Sequence, residues 1–421
     1  MKKMEIFHRR RKGRKRMPSE RLLTVFRQDE DRWKKLYNDL YRSPLSRHID
    51  IPIRQLSADR DYPAFFYYTD KITSVLTDIT AEIRSLLAIL GYMPHAAVEQ
   101  FQRACLVEEI LSSNDIEGVH STRKEINTAI DEQGNASGAA NVRFWSIVNK
   151  YQKLESKEKL SFSSSKELRQ FYDSFILNEV LRDNPKNQPD GIIFRKNTVD
   201  VWSKTKVIHH GVFPEEKIVA YMDEALKFLN NDDISGLVRV AAFHYLFGYI
   251  HPFYDGNGRT SRFISSYYLA KMLHPLVAIR LSITIKKSLT KYYKLFEETN
   301  AYGNCGDLTP FIEGFLAWIL KSATQVNAIL KDKYKKLVDY EKKLHALNLA
   351  GKTDFRIYCI LLQAALFSDD GATLEEMAAT LHKSSRTIDN RIKSYPPEHI
   401  IINKTHRAYR YKLRLDFLRE S

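Results

Sequence analysis

The chain has 421 residues, of which 43% are hydrophobic and 12% aromatic, so it is too long for one compact core and we expect two or three globular domains. No apolar run reaches the roughly 18 residues that a bilayer span requires, so a membrane protein is not expected. The net charge of +15 would suit a nucleic-acid-binding protein, but residues 1–16 alone hold nine Lys or Arg and one Glu, a net +8. The rest of the chain is only mildly basic.

The basic N-terminus lacks the apolar core and cleavage site of a signal peptide, so we expect a cytoplasmic protein. We assign residues 1–45 to a basic, disordered region. A nuclear-localisation or phosphate-binding patch and an upstream start codon, with Met17 as the true start, are the alternatives. The three cysteines are odd in number and far apart, which is typical of thiols in a reducing compartment: Cys105, Cys305 and Cys359.

The first half of the chain has a helical pattern. Apolar residues recur at three- and four-residue spacing over residues 72–90 and 95–111, which predicts two amphipathic helices. Pairs of β-branched residues on either side of the polar turn 203–206, Val199 and Val201 before it and Val207 and Ile208 after it, then predict one small hairpin. Residues 237–250 are apolar almost all round, which is typical of a helix at the centre of a bundle, and His244 within it is interpreted as a core histidine.

The last third of the chain begins with a long helix predicted over residues 309–350. Three helices and a hairpin follow, with a Thr373-x-x-Glu376 capping box, and predict a winged helix-turn-helix domain over residues 346–421. Residues 352–421 have twelve Lys or Arg and nine Asp or Glu, so the net +3 is modest for a DNA-binding domain. The sequence is compatible with a domain that binds DNA and with one that binds a protein. The side chains available for DNA would be Arg386, Asn390, Arg391 and Lys393.

Residues 251–262 read HPFYDGNGRTSR and carry the chemistry of the sequence. Gly256 and Gly258 bracket Asn257 where a helix begins, and free backbone amides at a helix N-terminus form an anion site. Asp255 offers an oxygen ligand to the Mg²⁺ of a polyphosphate, and His251 is the only base in the motif. These residues predict a phosphoryl or nucleotidyl transfer site. Two arginines on the first helical turn could reach the same phosphates: Arg259 and Arg262.

This stretch is identified, without a mismatch, as the signature HxFx(D/E)GNGRxxR of the Fic family, and the resemblance extends over about residues 63–320. The resemblance implies a helical bundle with a hairpin flap beside the site. It also implies that AMP from ATP is transferred to a Ser, Thr or Tyr hydroxyl of a target protein. Gly258 favours this over the Doc-like kinases, in which a lysine replaces it. The flap edge could pair with an extended target segment, or be a structural ribbon.

The resemblance also implies roles for single residues. His251 would activate the hydroxyl, Asp255 would bind Mg²⁺, and Phe253 would anchor the loop in the core. Two weaker candidates for the adenine pocket are Tyr292 and Asn300, of which Tyr292 could equally be a core residue. The phosphates would be held by Gly256, Asn257, Gly258, Arg259 and Arg262.

The segment Ser113-x-x-x-Glu117-Gly118 matches the family's inhibitory motif, (S/T)xxxE(G/N). A carboxylate held against Arg262 would engage the cation that the γ-phosphate needs and would repel ATP. The alternatives are a plain helix C-cap, or a Glu117 that positions water to remove AMP from a modified target.

The sequence therefore predicts an all-α fold: a Fic bundle with inhibitory helices over residues 46–345, joined to the winged helix. We expect a protein adenylyltransferase that uses ATP and Mg²⁺ and is autoinhibited by Glu117. The rival classes are a de-AMPylating hydrolase and a DNA-binding regulator whose Fic core senses nucleotide. The target protein, modification of the chain itself and the oligomeric state, a homodimer included, remain open.

Overall fold

The computed structural model describes residues 20–54, 60–134, 142–154, 159–203, 206–347, 349, 351–404 and 408–418. The chain begins with α1 (Leu22–Phe26), α2 (Glu30–Tyr41), β1 (Ser46–Arg54) and β2 (Asp61–Tyr67). The next elements are α3 (Asp70–Leu90), α4 (His95–Ile116), α5 (Arg123–Asp131), α6 (Trp145–Gln152), α7 (Ser165–Tyr172), α8 (Asn178–Asp183), β3 (Asp200–Ser203) and β4 (Lys206–His210). The centre of the chain forms α9 (Glu215–Leu229), α10 (Gly236–Ile250), α11 (Asn257–Met272), α12 (Pro275–Ala278), α13 (Leu281–Lys286), α14 (Leu289–Thr299) and α15 (Thr309–Ala346). The C-terminal elements are α16 (Lys352–Phe367), β5 (Ala372–Thr373), α17 (Leu374–Leu381), α18 (Ser385–Ser394), β6 (Ile400–Asn403) and β7 (Arg410–Leu413).

The mostly helical fold confirms the predicted class. In the described part of the chain, each helix is too short or too polar to span a bilayer. Apolar side chains cover every side of α10, which packs against α9, α11 and α15 as expected for a central helix. It ends at Ile250, because Pro252 disfavours helical geometry at the residue before it.

The N-terminal region differs from the disordered segment expected over residues 1–45. Residues 1–19, with Met17 and the basic patch, lie outside the described residues, but α1 and α2 are ordered. Trp33, Leu36 and Leu40 share one face of α2 and are buried, and the Trp33 indole donates to the Gly303 carbonyl at 2.8 Å. This apolar spacing is a helix signal that the charge of the preceding residues obscured.

A second hairpin, antiparallel β1–β2, was also not predicted. Ile49, Ile51 and Ile53 of β1 are buried and alternate with the more exposed Asp50 and Pro52, which is the two-residue period of a strand with one buried face. The sequence signal was present, but it is short beside the helical patterns around it.

The long helix α15 ends at Ala346, four residues before the predicted end. Leu330, Leu337 and Leu344 are buried at seven-residue spacing along it. After it, α16, α17, α18 and the β6–β7 hairpin follow in the predicted order, and β5 adds a third strand next to β7. The capping box is present: the Glu376 amide donates to the Thr373 hydroxyl at 3.1 Å. The winged-helix assignment of this C-terminal unit, residues 352–418, stays a prediction.

The C-terminal unit packs against α4 and α5, and one apolar core runs through both. Asp131, at the end of α5, accepts from Arg410 of β7 at 3.0 Å and from Arg103 of α4 at 2.6 Å. Asn127 of α5 donates to Asp370 in the α16–β5 connection at 2.8 Å. These contacts argue against a C-terminal unit that folds independently of the rest of the chain.

Deleting residues 352–421 should therefore destabilise the remaining chain, because it uncovers apolar surface on α4. We expect the melting temperature to fall by about 5 °C or more and the binding of a hydrophobic dye to rise, relative to the full chain. An unchanged melting temperature with unchanged dye binding would show that the two parts fold independently.

Candidate active site

The candidate base, His251, follows α10 and has a left-handed backbone conformation, with φ of 52°. Its Nδ1 lies 3.3 Å from the Gly248 carbonyl oxygen. Because a carbonyl only accepts, Nδ1 carries the proton and Nε2 keeps a lone pair. Burial, followed by the positive charge of Arg195, lowers the pKa of His251 to about 4, against the opposing effects of the Gly248 carbonyl and Asp255. The imidazole is therefore neutral near pH 7, as a general base must be.

The loop after His251 is closed by the side chain of Asn257. Its Oδ1 accepts from the Phe253 amide at 3.0 Å, and its Nδ2 donates to the Phe253 carbonyl at 2.8 Å. Asn257 thus contributes the shape of the cradle, because both of its polar atoms are engaged within the loop. Phe253 is fully buried and stacks on Tyr172 with ring centroids 3.6 Å apart, in line with the expected anchor.

Gly256 and Gly258 are required by the local geometry. Gly256 has φ of +77°, a left-handed conformation in which a side chain is strained. A Cβ atom at Gly258 would overlap the Glu117 carboxylate and lie 2.9 Å from Arg262 Nη1. The carboxylate of Glu117 therefore lies directly against the backbone of the cradle.

The two arginines of the motif differ in their partners. Arg262 is fully buried and donates from Nη1 to Glu117 Oε1 at 2.8 Å, from Nε to the Ser113 hydroxyl at 3.0 Å and from Nη2 to the Ser113 carbonyl at 2.8 Å. Arg259 is equally inaccessible, but only its Nη2 has a partner, Asp255 Oδ2 at 3.3 Å. Among the described residues, its Nε and Nη1 donate to nothing. Buried guanidinium donors without a partner suit an anionic ligand.

Glu117 lies where α4 ends. It is the C-cap residue of α4, and Gly118 after it has φ of +72°, the left-handed conformation that often terminates a helix. Glu117 therefore has both of the geometries that the sequence allowed. Its backbone ends α4 as a C-cap, and its carboxylate reaches Arg262.

Sequence reasoning missed Glu109, which lies two turns before Glu117 on the same face of α4. It is fully buried, and its carboxylate accepts from the amides of Ser282, at 3.0 and 2.9 Å, and Ile283, at 3.3 Å. Burial raises its pKa to about 7 in spite of these hydrogen bonds. A glutamate at four-residue spacing from Ser113 in an otherwise apolar segment was the available signal.

The two candidates for an adenine pocket lie in the core. Tyr292 is hydrogen-bonded to His244 Nε2 at 2.7 Å, and Asn300 Oδ1 accepts from the Tyr245 hydroxyl at 2.6 Å. Both side chains are buried, so their role in nucleotide binding stays a prediction that these contacts do not favour. His244 also contacts the Ser265 hydroxyl at 2.9 Å, which agrees with its interpretation as a core histidine.

The β3–β4 hairpin lies beside His251. Its turn residues 204–205 are outside the described part, and for the described strands His209 provides the anchor. The ring of His209 is buried, lies 2.5 Å from the Tyr249 carbonyl of α10 through Nε2, and has a pKa lowered to about 4 by burial. The hairpin base is thereby fixed to the helix that positions His251.

A divalent cation would find one carboxylate in this loop, that of Asp255. Within the described residues, no group of three or more His, Cys, Asp or Glu side chains could hold a metal ion. This fits Mg²⁺ that is bound by one protein carboxylate and otherwise by phosphate oxygens and water.

Comparison with known proteins places this site in a family. Residues 164–269 match the Fic/DOC family. The protein adenylyltransferase Fic of Drosophila erecta is 39% identical over 89 residues, and that of Drosophila virilis is 39% identical over 88 residues. Each match covers 20% of this chain and 16% of the relative, so the chain spans about a sixth of their length. This chain contains a Fic domain.

The fold has a counterpart among solved structures. A Fic family protein from Desulfovibrio desulfuricans superposes with a TM-score of 0.51 and 20% identity, over 83% of this chain and 97% of that one. At this identity the likeness bears on the fold alone. It extends well beyond the residues matched by the family.

The buried His244 generates a test of the site's electrostatics. Burial lowers its pKa from the ordinary 6.5 to about 3, so between these values the unfolded chain binds a proton that the folded chain excludes. The free energy of unfolding is therefore undiminished by His244 above pH 6.5 and falls as the pH falls below that value. His244→Gln should therefore reduce the loss of unfolding free energy between pH 7 and pH 5 by about 2 kcal/mol, measured by urea unfolding. An unchanged pH dependence in His244→Gln would contradict the neutral assignment.

Proposed function

We propose that this protein transfers AMP from ATP to a hydroxyl side chain of a protein and that Glu117 keeps this activity latent. The observation that carries the proposal is the Glu117–Arg262 pair lying against Gly258, beside a neutral His251. The site holds a candidate base and a loop that could bind an anion. The Glu117 carboxylate is paired with Arg262, which is the cation that this loop would offer to a phosphate.

The chemistry assigned to His251 is general-base catalysis. Its Nε2 takes the proton of the target hydroxyl as the hydroxyl oxygen bonds to the α-phosphorus of ATP, and the bond between the α-phosphorus and the bridging oxygen breaks. Pyrophosphate leaves and AMP stays on the target. The left-handed turn at His251 ends α10 immediately before the loop that forms the cradle.

The polyphosphate would be held by the amides at the start of α11 and by the free donors of Arg259. Asp255 would hold Mg²⁺, which neutralises phosphate charge when it is bound. The Asp255 carboxylate is one-third exposed and accepts from the Gly256 amide at 2.5 Å, so it is fixed in the loop and still reachable by an ion.

Latency follows from the engagement of Arg262. All three of its nitrogen atoms donate to Ser113 or Glu117, so a γ-phosphate would have to displace Glu117 to contact it. The carboxylate also repels the phosphates. A nucleotide that binds in this state would do so without the contact that orients it for transfer.

The DNA-binding alternative receives less support. Arg391 of α18 is paired with Asp354 at 2.8 Å and Lys393 with Asp389 at 2.6 Å, so two of the four side chains considered for DNA contact already have acidic partners. We do not propose this function.

Replacing the base tests the proposal directly. His251→Ala should abolish the labelling of target protein by ATP radiolabelled at the α-phosphate, with a loss of at least about 100-fold. The affinity for ATP should stay within about threefold in a calorimetric titration, because the base acts on the acceptor and not on the phosphates. A variant that still labels its target would remove His251 from the mechanism.

Glu117→Gly should raise AMP transfer by at least about tenfold, since one charge-assisted hydrogen bond is worth roughly 1.5–3 kcal/mol and its loss frees Arg262. The double variant Glu117→Gly, Arg262→Ala should lose the gain. Asp115→Gly, which removes an exposed carboxylate two residues away that pairs with Lys286, is the control and should leave labelling unchanged.

Release of AMP from a modified target is measured in the same samples. Wild-type release that is lost in Glu117→Gly would support the water-positioning role of Glu117. Unchanged labelling together with unchanged release would exclude both roles.

A further inference from the structure

Arg195, in the loop before β3, is a fully buried cation without an acidic partner. No carboxylate of the described residues lies within ion-pair distance of it, and all of its hydrogen bonds go to backbone carbonyls. A guanidinium in such a place is costly unless its donors are satisfied, so its position is determined by those carbonyls.

The carbonyls that Arg195 contacts belong to three separate segments. Its Nε donates to the carbonyl of His251 at 2.9 Å, and its Nη2 donates to the carbonyl of Val212, just after β4, at 2.8 Å. Its Nη1 donates to Asn197 in its own loop at 2.6 Å. A weaker contact at 3.5 Å reaches Ile250, the last residue of α10, where a cation is also favoured by the helix dipole.

The base of the hairpin packs closely over this arrangement. A Cβ atom at Gly211 would lie 2.6 Å from Arg195 Nη2 and 3.2 Å from His251 Cβ. The backbone there therefore contacts both side chains, and Val212 adds an amide hydrogen bond to the Ile250 carbonyl at 3.1 Å.

We propose that Arg195 is a positioning residue for His251: its guanidinium holds the left-handed turn of the histidine and the base of the β3–β4 hairpin as one unit. This inference rests on the proposed function of His251 as the base. Left-handed backbone at a residue other than glycine is strained, and the hydrogen bond from Arg195 to the carbonyl of His251 offsets that strain. Loss of the planar Arg195 guanidinium, with its donors to three carbonyls, would let the His251 imidazole move relative to the cradle.

Arg195 also acts on His251 through its charge. The groups that face the imidazole are Arg195, which lowers its pKa, and Asp255 with the Gly248 carbonyl, which raise it. A positive charge on His251 disfavours the protonation of His209. Geometry and charge can be separated, because lysine keeps the charge and cannot reach three carbonyls at once.

The test uses Arg195→Lys and Arg195→Met in the full chain, each combined with Glu117→Gly so that transfer is measurable. The control is Arg169→Met, because Arg169 donates to the Ile193 carbonyl of the same loop at 2.6 Å and does not contact His251. We expect both Arg195 variants to lose kcat by about 100-fold with KM for ATP within about threefold, and the control to stay within about threefold of its parent.

The second readout is the titration of His251 in the nucleotide-free protein by NMR of isotope-labelled histidine, with the signal assigned from His251→Ala. The pKa should rise toward 6.5 in Arg195→Met and stay depressed in Arg195→Lys. An unchanged kcat in Arg195→Lys, or a loss equal to that of the Arg169 control, would overturn the proposal, as would an unchanged titration in Arg195→Met. If the Glu117→Gly parent transfers no AMP, the proposed function fails, and the titration still decides the role of Arg195.

Discussion

The structure depends on how the buried charge of Arg262 is satisfied. A guanidinium with no solvent contact needs hydrogen-bond acceptors on every nitrogen, and the end of α4 supplies them through Ser113 and Glu117. The end of α4 therefore has to lie against the start of α11. A phosphate accepts hydrogen bonds as a carboxylate does. The Arg262 guanidinium that binds Ser113 and Glu117 in this structure could therefore also bind a nucleotide phosphate. Under the proposed function, Glu117 and a phosphate of the nucleotide would compete for the same donors.

Helix α4 links this cation to the rest of the molecule. Cys105, Glu109, Ser113 and Glu117 recur every four residues, so they share one face toward α11 and α13. Glu109 caps the first amides of α13, while α16 also packs on α4 and Arg103 of α4 pairs with Asp131. Glu117 is thus carried by a helix that has partners in both parts of the chain.

Local sequence pattern predicted the features that depend on contiguous residues, whereas the distant pair of Glu117 with Arg262 was predicted only through the family resemblance. The central helix, the Thr373 capping box and the His251 loop follow from local pattern. Docking of the C-terminal unit on α4 depends on Asp131 meeting Arg410, 279 residues apart, which no local period encodes. Arg195 was missed because its partners are backbone carbonyls, which any residue supplies. For Asn257, sequence alone gave the right loop and left open whether the side chain would face a ligand or the loop itself.

The absence of a side chain at Gly258 bears on two properties of the proposed site. The volume that a β-carbon would fill at this position is taken by the Glu117 carboxylate. A lysine at position 258, as in the Doc-like kinases, would fill the space that the Glu117 carboxylate takes. Under the proposed function, a residue larger than glycine at this position would therefore displace the Glu117 carboxylate and change the orientation of the nucleotide donor at the same time.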